Sequence, residues 1–105
     1  MGQSTTKLYR VMSESEYNSL VKNGQFIQYD KAMESKWFAT NAKDASEWGK
    51  KFYPNGNYKM VEIEVPKDSL SQMYHVDKLD GIGQAYNAER DFINSVIKSI
   101  REVTR

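Results

Sequence analysis

Apolar positions along the chain follow two periods, one of about two residues and one of about 3.6. From Lys7 to Met12, the apolar residues Leu8, Tyr9, Val11 and Met12 surround Arg10, which predicts a short strand with one charged side chain among apolar neighbours. Ser13 and Glu16 then stand at capping-box spacing, ahead of Tyr17, Leu20 and Val21 at helical spacing, with Gly24 as a stop. A helix is predicted over 14–22. The stretch 25–35 is weakly periodic and reads as an irregular loop.

A second strand is expected at Lys36–Thr40 (KWFAT). Asn41 follows as a natural N-cap for a helix whose one face carries Ala42, Ala45, Trp48 and Phe52, with Gly49 weakening its end. Pro54-Asn-Gly-Asn57 is the strongest turn signal, because Asn-Gly accepts positive φ angles. Tyr58–Val65 alternates and predicts a half-buried strand stopped by Pro66. Ser71–Val76 reads as a short strand and Asp80–Gly83 as a flexible loop. The longest periodic segment carries Ala85, Ala88, Phe92, Ile93, Val96, Ile97, Ile100 and Val103, which predicts a helix over 84–102. The absence of repeats and of a linker predicts one domain over 7–105, with 1–6 a disordered or added start.

Length and composition narrow the chemistry. A chain of 105 residues is of single-domain size and buries little more than about 60% of its unfolded surface, so any site must be compact. The chain has no cysteine, which excludes disulfides, thiolate metal sites and a cysteine nucleophile. A single histidine, His75, rules out a multi-histidine metal centre. A net charge of +1 argues against a dedicated phosphate-tracking nucleic-acid binder. Neither a secretory h-region at Met1–Lys7 nor an apolar run of membrane-spanning length is present, so a soluble chain is expected. At 12%, aromatic residues are plentiful enough to serve either a small core or a planar ligand.

On the helical reading of 84–102, Glu89 falls within the apolar arc formed by Ala85, Phe92, Val96 and Ile100. A carboxylate aimed inward needs a cation, a hydrogen-bond network or a cleft. Arg10 is the natural partner for a carboxylate or phosphate because its planar fork donates in pairs. The pair has an alternative structural meaning, a plain ion pair in a non-catalytic binding module. Thr40 is either a hydroxyl at a strand edge or a helix-entry residue. His75 suits a general base in a metal-independent ribonuclease, or an ordinary surface position. Gly81-Ile-Gly83 lacks the spacing of a phosphate-binding loop and reads as flexibility.

Taken in order, Leu8-Tyr-Arg-Val-Met12, Glu16-Tyr17, Gly24, Lys36-Trp-Phe-Ala-Thr40, Asp44-Ala-Ser-Glu-Trp-Gly49 and Gly81-Ile-Gly-Gln-Ala-Tyr-Asn-Ala-Glu89 resemble small ADP-ribosyltransferase toxin domains. Such domains end bacterial Rhs and similar polymorphic toxins, and the likeness is to the TreTu type. The resemblance implies an α+β domain with a small, strongly curved or split antiparallel sheet flanked by helices. It implies NAD as substrate, Arg10 as the first-strand arginine, Phe38 and Thr40 as the second motif, and Glu89 as the catalytic glutamate with Asn87 two residues before it. Tyr9, Trp37 or Phe38 would stack on nicotinamide. Two departures stand out: Phe-Ala-Thr replaces the usual Ser-Thr-Ser, and Glu89 precedes a helical stretch where the superfamily has a strand, which leaves Gln84 as an alternative polar residue.

The chemistry fits these residue types. Cleavage between nicotinamide and ribose passes through an oxocarbenium-like sugar, of the kind met in glycoside hydrolysis. Glu89 would hold the ribose hydroxyl and stabilise that cation, Arg10 would grip the pyrophosphate, and Thr40 would orient the ribose. By the same resemblance, a secreted or delivered effector would act in the cytoplasm of a target bacterium. It would modify a protein, elongation factor Tu, to stop translation, and a cognate immunity protein would protect the producer. No metal, membrane or stable nucleic-acid partner is expected.

Overall fold

A computed structural model describes residues 4–26 and 35–103. The first strand, β1, spans Thr5–Met12, so two residues of the expected disordered start belong to the sheet: Thr5 and Thr6 pair with Pro66 and Val65. Helix α1 (Glu14–Asn23) begins where Ser13 accepts a hydrogen bond from the Glu16 amide and ends at Gly24, whose φ of 70° is the left-handed cap that favours glycine. Strand β2 covers Ser35–Ala39, leaving Thr40 just outside. The expected loop over 25–35 falls mostly outside the described residues. Helix α2 (Ala42–Phe52) is capped by Asn41, whose side chain accepts from the Asp44 amide. Gly49 does not end this helix; the Tyr58 ring lies where its Cβ would stand, so close packing explains the glycine.

Strand β3 spans Lys59–Pro66 and is buried on both faces rather than half-buried, because Val61, Ile63 and Val65 join the core cluster on one side of the sheet and Met60 the cluster on the other. A 3₁₀ turn at Lys67–Gln72 occupies the start of the expected strand over 71–76, and β4 follows at Tyr74–Leu79. The expected flexible loop at Asp80–Gly83 is instead a tight hairpin turn. Asp80 and Gly81 have φ of 57° and 74°, and the Ile82 amide bonds the Leu79 carbonyl at 3.0 Å. Two successive positive φ angles are the type I′ signature for which Asp-Gly is preferred.

The predicted helix over 84–102 is not formed. Its place is taken by strand β5 (Gly83–Glu89), the short helix α3 (Arg90–Val96) and strand β6 (Ser99–Val103). The reason lies in two-sided burial. Ala85 and Ala88 sit on opposite faces of β5, one in each core cluster, and Ile100 and Val103 likewise serve opposite faces of β6. In a sheet covered on both sides, apolar residues three apart imitate a helical arc.

The six strands form one antiparallel sheet in the order β4-β5-β2-β1-β3-β6. One face carries Leu8, Met12, Phe38, Val61, Ile63 and Val65 and is covered by Leu20 of α1, Phe26 and Ile93 of α3. The other carries Ala39, Met60 and Ala85 under Ala45 and Trp48 of α2. The coarse α+β expectation therefore holds, with helices on both faces. No helix among the described residues is long and apolar enough to cross a membrane.

Candidate functional site

The sheet is nearly divided. Strand β1 pairs with β3 along all of its 8 residues, but with β2 through the single pair Tyr9↔Ala39. Strand β2 turns instead to β5, with Ser35, Lys36 and Trp37 opposite Glu89, Ala88 and Asn87. Two three-stranded halves result, joined by one rung.

Arg10 stands next to that rung and spans the split. Its Nη1 donates to the Trp37 carbonyl across the gap at 3.2 Å, while Nε and Nη2 donate to the two Glu16 oxygens at 2.9 and 3.1 Å. Three of the five N–H groups of a guanidinium are thereby engaged among the described residues. Lys36, 2% exposed, brings its Nζ to 3.8 Å from the same Glu16 carboxylate. Burial holds the Lys36 amine below its ordinary pKa; Glu16 opposes this, while Arg10 and Arg90 add to it. The Tyr53 hydroxyl, also near Glu16 and Arg10, is pushed up by burial first and by Glu16 second.

Beside Arg10 opens a cavity of about 370 Å³, walled by Trp37, Trp48, Phe52 and Tyr53, with Asp80 at its side. That volume is in the range of small-molecule sites, and the aromatic walls suit a flat ring. Trp48 is almost fully buried, yet its indole N–H has no hydrogen-bond partner. Such an unsatisfied donor costs stability unless something accepts from it.

The structure gathers some of the residues expected from the sequence and separates others. Glu89 ends β5 and is exposed rather than buried, and it makes no hydrogen bond or ion pair among the described residues. Its inward aim was a product of the helical reading and is corrected here. Asn87 lies between Trp37 on β2 and Tyr74 on β4, on the same face as Glu89 two residues on. The rings of Trp37 and Tyr74 meet edge to face at 6.2 Å.

Thr40 does not join this group. It follows the far end of β2, and at strand spacing it is about 16 Å along the chain from Ser35, the residue that faces Glu89. Its hydroxyl receives the Asn41 amide at 3.4 Å, which is the helix-entry role. Phe38 is wholly buried against Phe26 and has no surface to offer a ligand. Tyr9 commits its hydroxyl to Glu62 at 2.9 Å, on the β1-β3-β6 half.

In comparisons with known proteins, the chain matches no family model, no curated protein and no solved structure.

Arg10 and Glu89 do not pair; the arginine's carboxylate is Glu16. His75 is exposed, with Nε2 at 3.0 Å from the Gln84 Oε1, which makes that nitrogen a donor, and with Nδ1 at 3.6 Å from Asp77. Gln84 is thus the histidine's partner. No cluster of His, Asp and Glu among the described residues could hold a metal ion.

Sequence reasoning missed Glu16, Lys36, Ser35, Tyr53 and Trp48 as members of the site. Glu16 is the acidic residue of a capping box. Its amide does bond Ser13, but its carboxylate turns to Arg10 instead of the cap. Lys36 was legible in principle: with period two it shares a face with Phe38, and a lysine beside a core aromatic calls for a counter-charge. Chemically, the cavity beside the split offers guanidinium donors for an anion and aromatic walls for a ring, while the Glu89 carboxylate at the end of β5 has no partner among the described residues and lies outside that cavity.

Proposed function

We propose that this chain is an NAD-dependent mono-ADP-ribosyltransferase domain of the bacterial toxin type, acting on a protein acceptor. The observation that carries the reading is the divided sheet. Arg10 of the first strand and Glu89 at the end of β5 lie to either side of β2 near its Ser35–Trp37 end, and Arg10 and Trp37 line an aromatic cavity that Glu89 does not reach. Glu89 ends strand β5, which supports the reading, although helix α3 follows it directly. Ser35, directly opposite Glu89, takes over from Thr40 as the hydroxyl of the second motif. Trp37 replaces Phe38 as the aromatic available to nicotinamide.

In the reaction the bond between the ribose anomeric carbon and the nicotinamide nitrogen breaks, and nicotinamide leaves with the bonding pair, which neutralises its ring. The flattened ribosyl cation is stabilised by the Glu89 carboxylate. The Arg10 guanidinium holds the pyrophosphate. A nucleophile on the acceptor protein then forms the new bond to the anomeric carbon and gives up its proton to Glu89 or solvent. By family resemblance the acceptor is elongation factor Tu, an immunity protein covers the site in the producer, and the effector works in the cytoplasm of the target cell.

The test is transfer of label from NAD to protein in a bacterial lysate. A labelled band at the size of elongation factor Tu is expected, and Glu89→Gln reduces it about 100-fold or more, the loss typical of removing one transition-state charge contact. Absence of transfer by the folded domain, together with RNA breakdown that His75→Ala abolishes, would replace the reading with the nuclease one.

A further inference from the structure

Among the described residues the sheet ends on two strands, β4 and β6, and an outer strand carries backbone N–H and C=O groups that its neighbour does not use. The two edges differ. The β4 ladder is interrupted by an irregularity between Val76 and Leu79, of the kind that turns an edge away from further pairing. Strand β6, by contrast, pairs with β3 without a break from Ser99 to Val103. On one face of this edge, Lys98, Ile100 and Glu102 line a groove of about 430 Å³ between β6 and α1. Val21 of α1 stands on the same groove and is 63% exposed, so the groove is uncovered. The Glu102 carboxylate is fixed there by the Tyr17 hydroxyl at 3.0 Å and the Lys59 amine at 3.5 Å, whereas Lys98 is exposed and has no carboxylate partner among the described residues.

We propose that β6 is the contact edge of a two-fold dimer of this chain, centred on Ile100. Two copies joined edge to edge by an axis normal to the sheet keep every residue on its own face, so opposed positions differ by an even number of residues. With the axis at Ile100, Lys98 lies opposite Glu102 of the second copy, twice by symmetry; Ile100 meets Ile100, and Ser99 meets Arg101. An axis at Arg101 would set arginine against arginine and Ile100 against Glu102, and an axis at Ser99 would leave Lys98 facing Ile100. Opposite charges directly across a strand pair stabilise it and like charges destabilise it, so the register at Ile100 is the one that matches charge with charge and apolar with apolar. In this register each Ile100 helps to close the open side of the other copy's groove. A strand edge with one small groove is at the low end of interface sizes, which makes the dimer weak and reversible. The inference goes beyond the transferase reading and does not rest on it: it uses the outer strand of the half that lacks Glu89.

The experiment is sedimentation velocity of the full chain over a range of concentrations, in which a monomer–dimer equilibrium with a Kd between about 1 μM and 1 mM is expected. Lys98→Glu and Glu102→Lys each put like charges opposite one another at both ends of the contact, and each alone should weaken the dimer about tenfold or more. Mixed in equal amounts, the two variants restore both opposite-charge pairs, so a mixed dimer should form with close to the wild-type affinity. A chain that stays monomeric up to about 1 mM overturns the proposal and leaves this edge to a strand from a different protein. A dimer that Lys98→Glu leaves unchanged overturns it as well, because the contact then lies elsewhere, and so does failure of the two folded variants to associate on mixing. If Glu102→Lys does not fold without its Tyr17 bond, Lys98→Glu decides: weakening that shrinks at about 0.5 M salt supports the pairing, and no weakening overturns it.

Discussion

Two carboxylates, Glu16 on α1 and Glu62 on β3, have similar partners and opposite arrangements. On the continuously paired half, Glu62 is buried, while the cations that answer it, Lys7 and Arg101, are 55% and 65% exposed. Arg101 donates through Nε and Nη2 at 3.3 and 3.0 Å, and the Tyr9 hydroxyl closes the set. At the split, the cations themselves are withdrawn from solvent. A network that buries its anion and leaves long cationic stems in water is self-sufficient. At the split, the described anion for the two withdrawn cations is the Glu16 carboxylate. The ingredients are alike, and the two halves differ in which partner is withdrawn from solvent: the anion alone at Glu62, the cations as well at Glu16.

The sharpest way to break this comparison is to remove one arginine from each half. Under the transferase reading, Arg10→Met should cut transfer by about 100- to 1000-fold, as expected for a lost charge clamp, whereas Arg101→Met should leave transfer unaltered. Equal losses in labelled-NAD transfer would erase the distinction between the halves.

Stability should respond in the opposite sense. Glu62→Gln leaves Tyr9 and Arg101 with a poorer acceptor and is expected to cost about 1–3 kcal/mol, read by urea denaturation. Burial alone would raise the Glu62 carboxyl, but the Tyr9 and Arg101 hydrogen bonds, with the charges of Arg101 and Lys7, outweigh it and hold it below its ordinary value. Its contribution is therefore full above the unfolded glutamate value of about 4.3 and fades as the pH falls through the lower folded value. Wild type should accordingly lose more stability than Glu62→Gln on acidification; parallel curves would sever the link to this residue.

The smallest effect belongs to Lys36→Met. Burial disfavours the charged amine, so replacing it should be neutral or stabilising by about 1 kcal/mol. Because the folded pKa is below the unfolded one, the cost of Lys36 is greatest at pH values under the folded value and shrinks as the pH rises towards about 10. Melting temperatures of the two proteins should converge over that range. A marked destabilisation at neutral pH would mean that Lys36 is a brace like Glu62's partners.

Much of the first two-thirds of the fold could be read from the chain. Caps at Ser13, Gly24 and Asn41 are local devices, and local devices leave local sequence signals. The segment 84–102 could not be read this way. Which face Ala85 and Ala88 occupy depends on β2 and β4 lying on either side of β5, a fact of tertiary pairing. The candidate site shared that fate. Arg10 and Glu89 were singled out as residues, but the partner of the first is supplied by a helix that also needed Glu16 for its cap, and the exposure of the second follows from the strand it ends.

The single rung Tyr9↔Ala39 also governs how the chain can fold. The halves consist of strands one, three and six against two, four and five, so every link except the β4–β5 hairpin crosses from one half to the other. Neither half is a contiguous stretch that could collapse alone. The first strand, once made, has to wait for the third and sixth, and loop closures of this length come before any reward from pairing. The domain should consequently fold slowly and all at once, and cutting it between the halves cannot yield two stable fragments.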